Sequence, residues 1–165
     1  GILEDTLNLQ ELQESISKDY NEKMSIFHEK LLKKKLSNLE VNLKHRIWVA
    51  SQYEKKLVEM GIKPIKLKDE FQPVYLSYPL LVKKKDKVLF EARTRKVEIG
   101  DWFTSPVYPF PEEEWHYMGY KKGFCPIAED VSKKIISLPI NEKISEKEIE
   151  KTISFLECMN KLGYF

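Results

Sequence analysis

From Met24 to Met60 the sequence contains neither proline nor glycine, and its apolar residues recur at three- and four-residue steps. Leu32, Leu36, Leu39, Leu43, Ile47, Ala50, Tyr53 and Leu57 make up that stripe, which is the spacing of an amphipathic helix. The pattern predicts a long helix over residues 24–60. Such a run exceeds an average globular helix, so it either breaks once or connects two domains. Gly61 stands where a helix ends on a residue able to take positive φ. Upstream, Leu7, Leu9, Leu12 and Ile16 predict a short helix over about 5–19, interrupted by Tyr20-Asn21. Lys33-Lys34-Lys35 falls partly on the polar face of the long helix and reads as solvated surface.

Beyond Gly61 the punctuation changes. Pro64 and Pro73 bracket an irregular link, and Val74–Val82 is the best strand pattern in the chain, rich in aromatic and β-branched residues. Pro79 within it predicts an edge position or a bulge. Lys83–Lys85 marks a turn, and a helix is expected from Asp86 to about Lys96 with Val88, Leu89 and Ala92 inward. A proline- and aromatic-rich loop, Ser105–Pro111, follows Ile99–Phe103. Pro126 suits the first turn of a helix, where a missing N–H costs nothing, and Glu129 and Asp130 suit the positive end of its dipole. Ile135–Leu138 reads as a small buried strand that Pro139 terminates. Ser145 and Glu148 then form a capping box, and Ile149, Ile153, Leu156 and Met159 or Asn160 give the following helix one apolar face.

The bulk properties exclude several classes. A chain of 165 residues fits one domain or one and a half and can bury a real core. A net charge of +2 gives no push toward nucleic acid or an anionic membrane. No apolar run approaches the length of a bilayer span. Cys125 and Cys158 are far apart and lack metal or redox spacing, so two free thiols in a reducing, cytoplasmic setting are expected. His28, His45 and His116 have no metal spacing, so no metal is expected. The opening at Gly1, without an initiating Met, is how an excised fragment looks.

The ordered series Gly123-x-x-Pro126-x-Ala128-Glu129, Ser137-Leu138-Pro139 and Ile144-Ser145-Glu146-x-Glu148-Ile149 resembles the C-terminal signature of the DegT/DnrJ/EryC1/StrS family. Those proteins are pyridoxal-phosphate (PLP)-dependent sugar aminotransferases of the aspartate aminotransferase fold. The likeness extends to Arg46, Ala50, Tyr53 and Leu57, which match a family helix. It also takes in Tyr75–Val82, which resembles the first strand of the family's small domain, with Asp86–Lys96 as its next helix. Trp102–Pro106 resembles the strand returning toward the active site, and Tyr20–Ser25 the segment Tyr-Asn-x-Arg-Met-Ser. The resemblance implies an α+β fold: the small C-terminal domain of a fold type I PLP transferase, a few-stranded sheet with helices, preceded by a long helix. Residues 1–60 would be the helical segment leading from a large domain, and 61–165 the small domain.

On that resemblance the Schiff-base lysine, the aspartate facing the pyridinium nitrogen and the ring-stacking residue all lie N-terminal to the matched region. The chain alone is therefore expected to hold no PLP and to have no catalytic residue. In the intact parent, Asn21 would contact the cofactor phosphate of the neighbouring subunit, against the plainer reading of a helix terminator. Tyr108 stands where the family often has a loop histidine facing the sugar pocket, and would bind substrate there; its plainer reading is a loop tyrosine covering the core. The implied partners are the large PLP-binding domain, a second copy in a homodimer, a keto-sugar nucleotide and an amino donor. Two departures, His28–Lys33 in place of a small-residue pattern and Tyr108 itself, support an alternative: a non-catalytic stand-alone or degenerate small domain serving as a binding or dimerisation module.

Overall fold

The computed structural model describes residues 22–65 and 70–165. The predicted short helix at 5–19 and Asn21 lie outside them. The long helical pattern folds as two helices, α1 (Ile26–Ser37) and α2 (Leu39–Glu59). They part at Asn38, whose backbone leaves helical geometry at φ −101°, ψ 5°. Ser25 caps α1, its hydroxyl accepting from the His28 N–H. Gly61 follows the end of α2 at φ 74°, a conformation that costs a β-carbon-bearing residue about 1–2 kcal/mol.

The rest of the chain is β1 (Tyr78–Leu81), α3 (Lys85–Thr94), a 3-10 helix over Glu112–Met118, α4 (Pro126–Ser132), β2 (Ile135–Leu138) and α5 (Glu146–Lys161). β1 and β2 pair antiparallel, with Tyr78 opposite Leu138 and Pro79 opposite Ser137. On the other side of β2, Gly100 exchanges both backbone hydrogen bonds with Ser137, at 2.8 and 2.9 Å. Because the Ser137 N–H and C=O point toward Gly100, Pro79 faces a position that asks β1 for no donor. That is how a proline is tolerated within the strand, and among the described residues β1 is an edge, one of the two placements its proline predicts.

The predicted strands are shortened or absent for identifiable reasons. Val74–Val82 was expected to be extended throughout, but only four residues pair. The Tyr75 and Leu76 carbonyls instead accept from the Arg46 guanidinium, at 3.1 and 2.9 Å. Trp102–Pro106 is not a strand; pairing on that side ends with the single bridge at Gly100.

One face of the sheet meets α2, α3 and α5. Val49, Ala50, Tyr53 and Leu57 from α2 join Tyr78, Leu80, Val88, Leu89, Ala92, Ile136 and Leu138 in one core. α5 contributes Ile149, Ile153, Phe155, Leu156 and Met159. Met159 is the inward residue of the pair left open by periodicity; Asn160 instead donates to the Met60 carbonyl at 3.0 Å. Both halves of the Ser145–Glu148 capping box are present.

The core explains the spacing Arg46–Ala50–Tyr53–Leu57. Arg46 ties α2 to the approach of β1, and the other three are buried along the same helix face. The Gly123–Glu129 motif is likewise a closed loop. One Glu129 carboxylate oxygen accepts from the Gly123 N–H at 2.6 Å and the Tyr120 hydroxyl at 2.8 Å. Those bonds, the backbone one first, hold the Glu129 carboxyl below the usual carboxylate range. Partial burial, with the Glu129 hydrogen bond adding to it, pushes the Tyr120 phenol up to about 12. Among the described residues no helix is long and apolar enough to cross a membrane.

Candidate functional site

The sheet face opposite the helices floors a cleft of about 490 Å³. Its floor is the cross-strand pair Pro79 and Ser137 with Gly100 beside them, and aromatic side chains wall it. Trp102 and Phe103 rise from the loop after Gly100, and Tyr75 comes from the approach to β1. Trp102 is 57% exposed and Phe103 51% exposed. An open cleft therefore presents two large aromatic surfaces to whatever enters.

Gly100 is required by that arrangement for space rather than for backbone angle. A β-carbon built there would stand 2.8 Å from Trp102 Cδ1 and 3.2 Å from Ser137 Cβ. The indole thus rests directly on the glycine. Replacing Gly100 by alanine is expected to swing the exposed indole away while the sheet persists, because a solvent-facing ring yields more cheaply than a backbone ladder. Tryptophan emission should change with little loss of thermal stability; a collapse of stability with unchanged emission would contradict the contact.

Polar groups stand at the edge. Arg46 spends its Nη1 on two carbonyls and its Nε on Asn42 Oδ1 at 2.7 Å. All of these acceptors are neutral, so no ion pair cancels its charge among the described residues. Glu98, Ser77 and Asn141 add a carboxylate, a hydroxyl and an amide. Among the described residues no lysine, histidine or cysteine lines the cleft. It can bind a ring bearing hydroxyl or anionic groups.

Of the residues singled out in the sequence, Asn21 lies outside the described residues. Tyr108 is half-exposed, its ring edge-on to Phe103 at 6.4 Å, and it does not line the cleft. The peptide bond that follows it, to Pro109, is cis. The loop carrying Tyr108 is pinned by Trp115, whose indole N–H donates to Ser105 Oγ and to the Phe110 carbonyl. Trp102 and Glu98 were not legible as site residues. An aromatic beside a Gly-Asp pair has no signature until the glycine's pairing partner is known.

Lys85 also departs from expectation. Assigned to a turn by its place in a lysine run, it opens α3 and is buried. Its ammonium pairs with Asp101 and donates to the carbonyls of Phe103 at 3.2 Å and Ser132 at 2.9 Å. Cys125 and Cys158 are free; Arg95 Nη1 stands 3.1 Å from Cys158 Sγ. Among the described residues no group of three or more His, Cys, Asp or Glu side chains is placed to hold a metal ion.

Comparison with known proteins gives this geometry a setting. The chain is 23% identical over 152 residues to a dTDP-3-amino-3,6-dideoxy-alpha-D-galactopyranose transaminase of Aneurinibacillus thermoaerophilus, covering 92% of this chain and 40% of that protein. The crystal structure of S. venezuelae DesV in complex with a ketimine intermediate superposes with a TM-score of 0.66 at 20% identity, covering 77% of this chain and 34% of DesV. A DegT DnrJ EryC1 StrS aminotransferase from Brucella abortus gives 0.64 at 20% identity, covering 76% and 33%. The helix-rich fold with its small sheet is thus one found within aminotransferases, and the chain spans about a third to two fifths of those proteins' lengths. The DegT/DnrJ/EryC1/StrS aminotransferase family matches residues 7–157, nearly the whole sequence, and the chain belongs to that family.

Proposed function

We propose that the chain is the C-terminal, small-domain part of a PLP-dependent aminotransferase acting on a keto-sugar nucleotide, and that it does not catalyse transamination by itself. In this reading residues 1–60 lead from a large PLP-binding domain, residues 61–165 form the small domain, and the parent works as a cytoplasmic homodimer. Asn21 reaches the cofactor phosphate of the neighbouring subunit, and Tyr108 meets the substrate. PLP, when bound in the parent, would supply the electron sink for amino transfer.

The observation that carries the non-catalytic half is the state of Lys85, the one buried lysine among the described residues. A lysine that joins covalently to a carbonyl must shed a proton and present its lone pair. Lys85 instead donates to the Phe103 and Ser132 carbonyls and is ion-paired with the Asp101 carboxylate, so it is already engaged in holding the fold. In this reading the group's chemistry belongs to the rest of the parent. The partial span of the relatives supports the same division.

Titration of the purified chain with PLP, followed by borohydride reduction and mass spectrometry, tests the proposal. The expected result is no saturable adduct. A stoichiometric adduct on one lysine would overturn the non-catalytic reading and place a reactive site within these 165 residues. Expression joined to the upstream coding sequence tests the other half. Cofactor-loaded, amine-transferring protein is expected, whereas an inert product would mark the degenerate binding module.

A further inference from the structure

We propose that Lys85 is a positioning residue whose buried ammonium holds Trp102 and Phe103 as the aromatic wall of the cleft. The cleft's role as a substrate-facing surface rests on the aminotransferase reading; the clamp itself does not. An ammonium with this little contact with water is kept only where its donors are matched. Lys85 is 7% exposed, and its ammonium donates to two carbonyls and is ion-paired with the Asp101 carboxylate. Two of those partners, the Asp101 carboxylate and the Phe103 carbonyl, belong to the residues immediately before and after Trp102. The third, the Ser132 carbonyl, belongs to the last residue of α4. The clamp therefore fixes the chain on both sides of Trp102 and anchors it to a helix end.

Trp102 lies outside the buried core: more than half of it is exposed, and its indole rests on Gly100 at the open cleft. Lys85 itself does not line the cleft. Whatever it does for a ligand passes through the residues it holds. With the clamp closed, a ring of the sugar nucleotide meets an indole already in place, and binding spends less on ordering that side chain.

The chain has three tryptophans, Trp48, Trp102 and Trp115, so labelling with 5-fluorotryptophan gives a resolvable fluorine spectrum, with the Trp102 line assigned by its loss in Trp102→Phe. Lys85→Met and Asp101→Asn are each expected to shift the Trp102 line toward that of the free amino acid and to broaden it. The Trp48 line, from α2, should stay in place, and Lys85→Arg should keep the Trp102 line near its original position. Asp101→Asn preserves shape and removes only the charge, so it decides the matter if Lys85→Met does not fold. An unmoved Trp102 line in Asp101→Asn would overturn the proposal and leave Lys85 as a contributor to stability alone. No cofactor enters this experiment, so its failure is separable from a failure of the aminotransferase reading, which the borohydride trap decides.

Discussion

Replacing Tyr53 by alanine is expected to cost about 3–5 kcal/mol, the loss associated with deleting a large buried aromatic side chain. Tyr53 is wholly buried at the centre of α2. Its ring centroid lies 5.7 Å from that of Tyr78 on β1, and its hydroxyl donates to the Pro139 carbonyl at 2.9 Å, beyond the end of β2. One side chain thus joins the long helix to both strands. Burial pushes the phenol above its ordinary range, with the Thr152 hydroxyl acting in the opposite sense, so it stays a neutral donor across working pH. Phenylalanine at this position separates the two contributions. It keeps the ring packing but leaves the Pro139 carbonyl without its donor, which should cost about 1–3 kcal/mol. Urea denaturation followed by circular dichroism should rank wild type, Tyr53→Phe and Tyr53→Ala in that order. Equal losses in the two variants would mean the hydroxyl, not the ring, holds the elements together. For a domain whose whole stability is about 5–15 kcal/mol, the alanine variant would be marginal.

How far these elements were legible depends on whether their determinants were local. Pro126 at the start of α4, the Ser145–Glu148 box and Gly61 after α2 all act within one helical turn, and each stands where the sequence placed it. The apolar stripe from Ala50 to Leu57 was legible because a helix face repeats. The division at Asn38 was visible only as an excess of length; no proline or glycine marks it. Longer-range determinants were hidden. The Arg46 bonds that keep Tyr75 and Leu76 out of the ladder reach across about thirty residues. Lys85 looked like its exposed neighbours Lys83 and Lys84, and its burial depends on one carboxylate and two carbonyls that no pattern in its own segment announces. The cleft was hidden for the same reason, since Gly100, Trp102 and Pro79 meet only through the pairing of Ser137 on both sides.

Amide hydrogens of α1 are expected to exchange on the order of 1,000-fold faster than those of α5 when the chain is a dilute monomer. α1 spans 12 residues and buries none of them. Isolated helices shorter than about 12–15 residues are marginal in water. The ties of α1 are those of the surface, among them its Ser25 cap, the Lys33–Glu29 pair at 2.6 Å and the Lys35–Glu142 pair at 3.3 Å. Exposed pairs of this kind contribute little. Ile26, Phe27, Leu31, Leu32 and Leu36 are nonetheless all exposed, Phe27 to 73%. An apolar surface of that extent, on a helix that stabilises itself so weakly, calls for a partner surface. In the proposed parent that surface is the large domain. In the chain alone the apolar residues should drive self-association, visible by light scattering as mass rising with concentration, and association should slow α1 exchange. Ile26→Glu with Phe27→Glu should keep the chain monomeric without lowering its thermal stability, because neither side chain belongs to the core. A monomer at high concentration with α1 protected as strongly as α5 would refute both the docking role and the weakness assigned to the helix. Faster exchange in α1 that association suppresses would tie its stability to a surface outside the small-domain core.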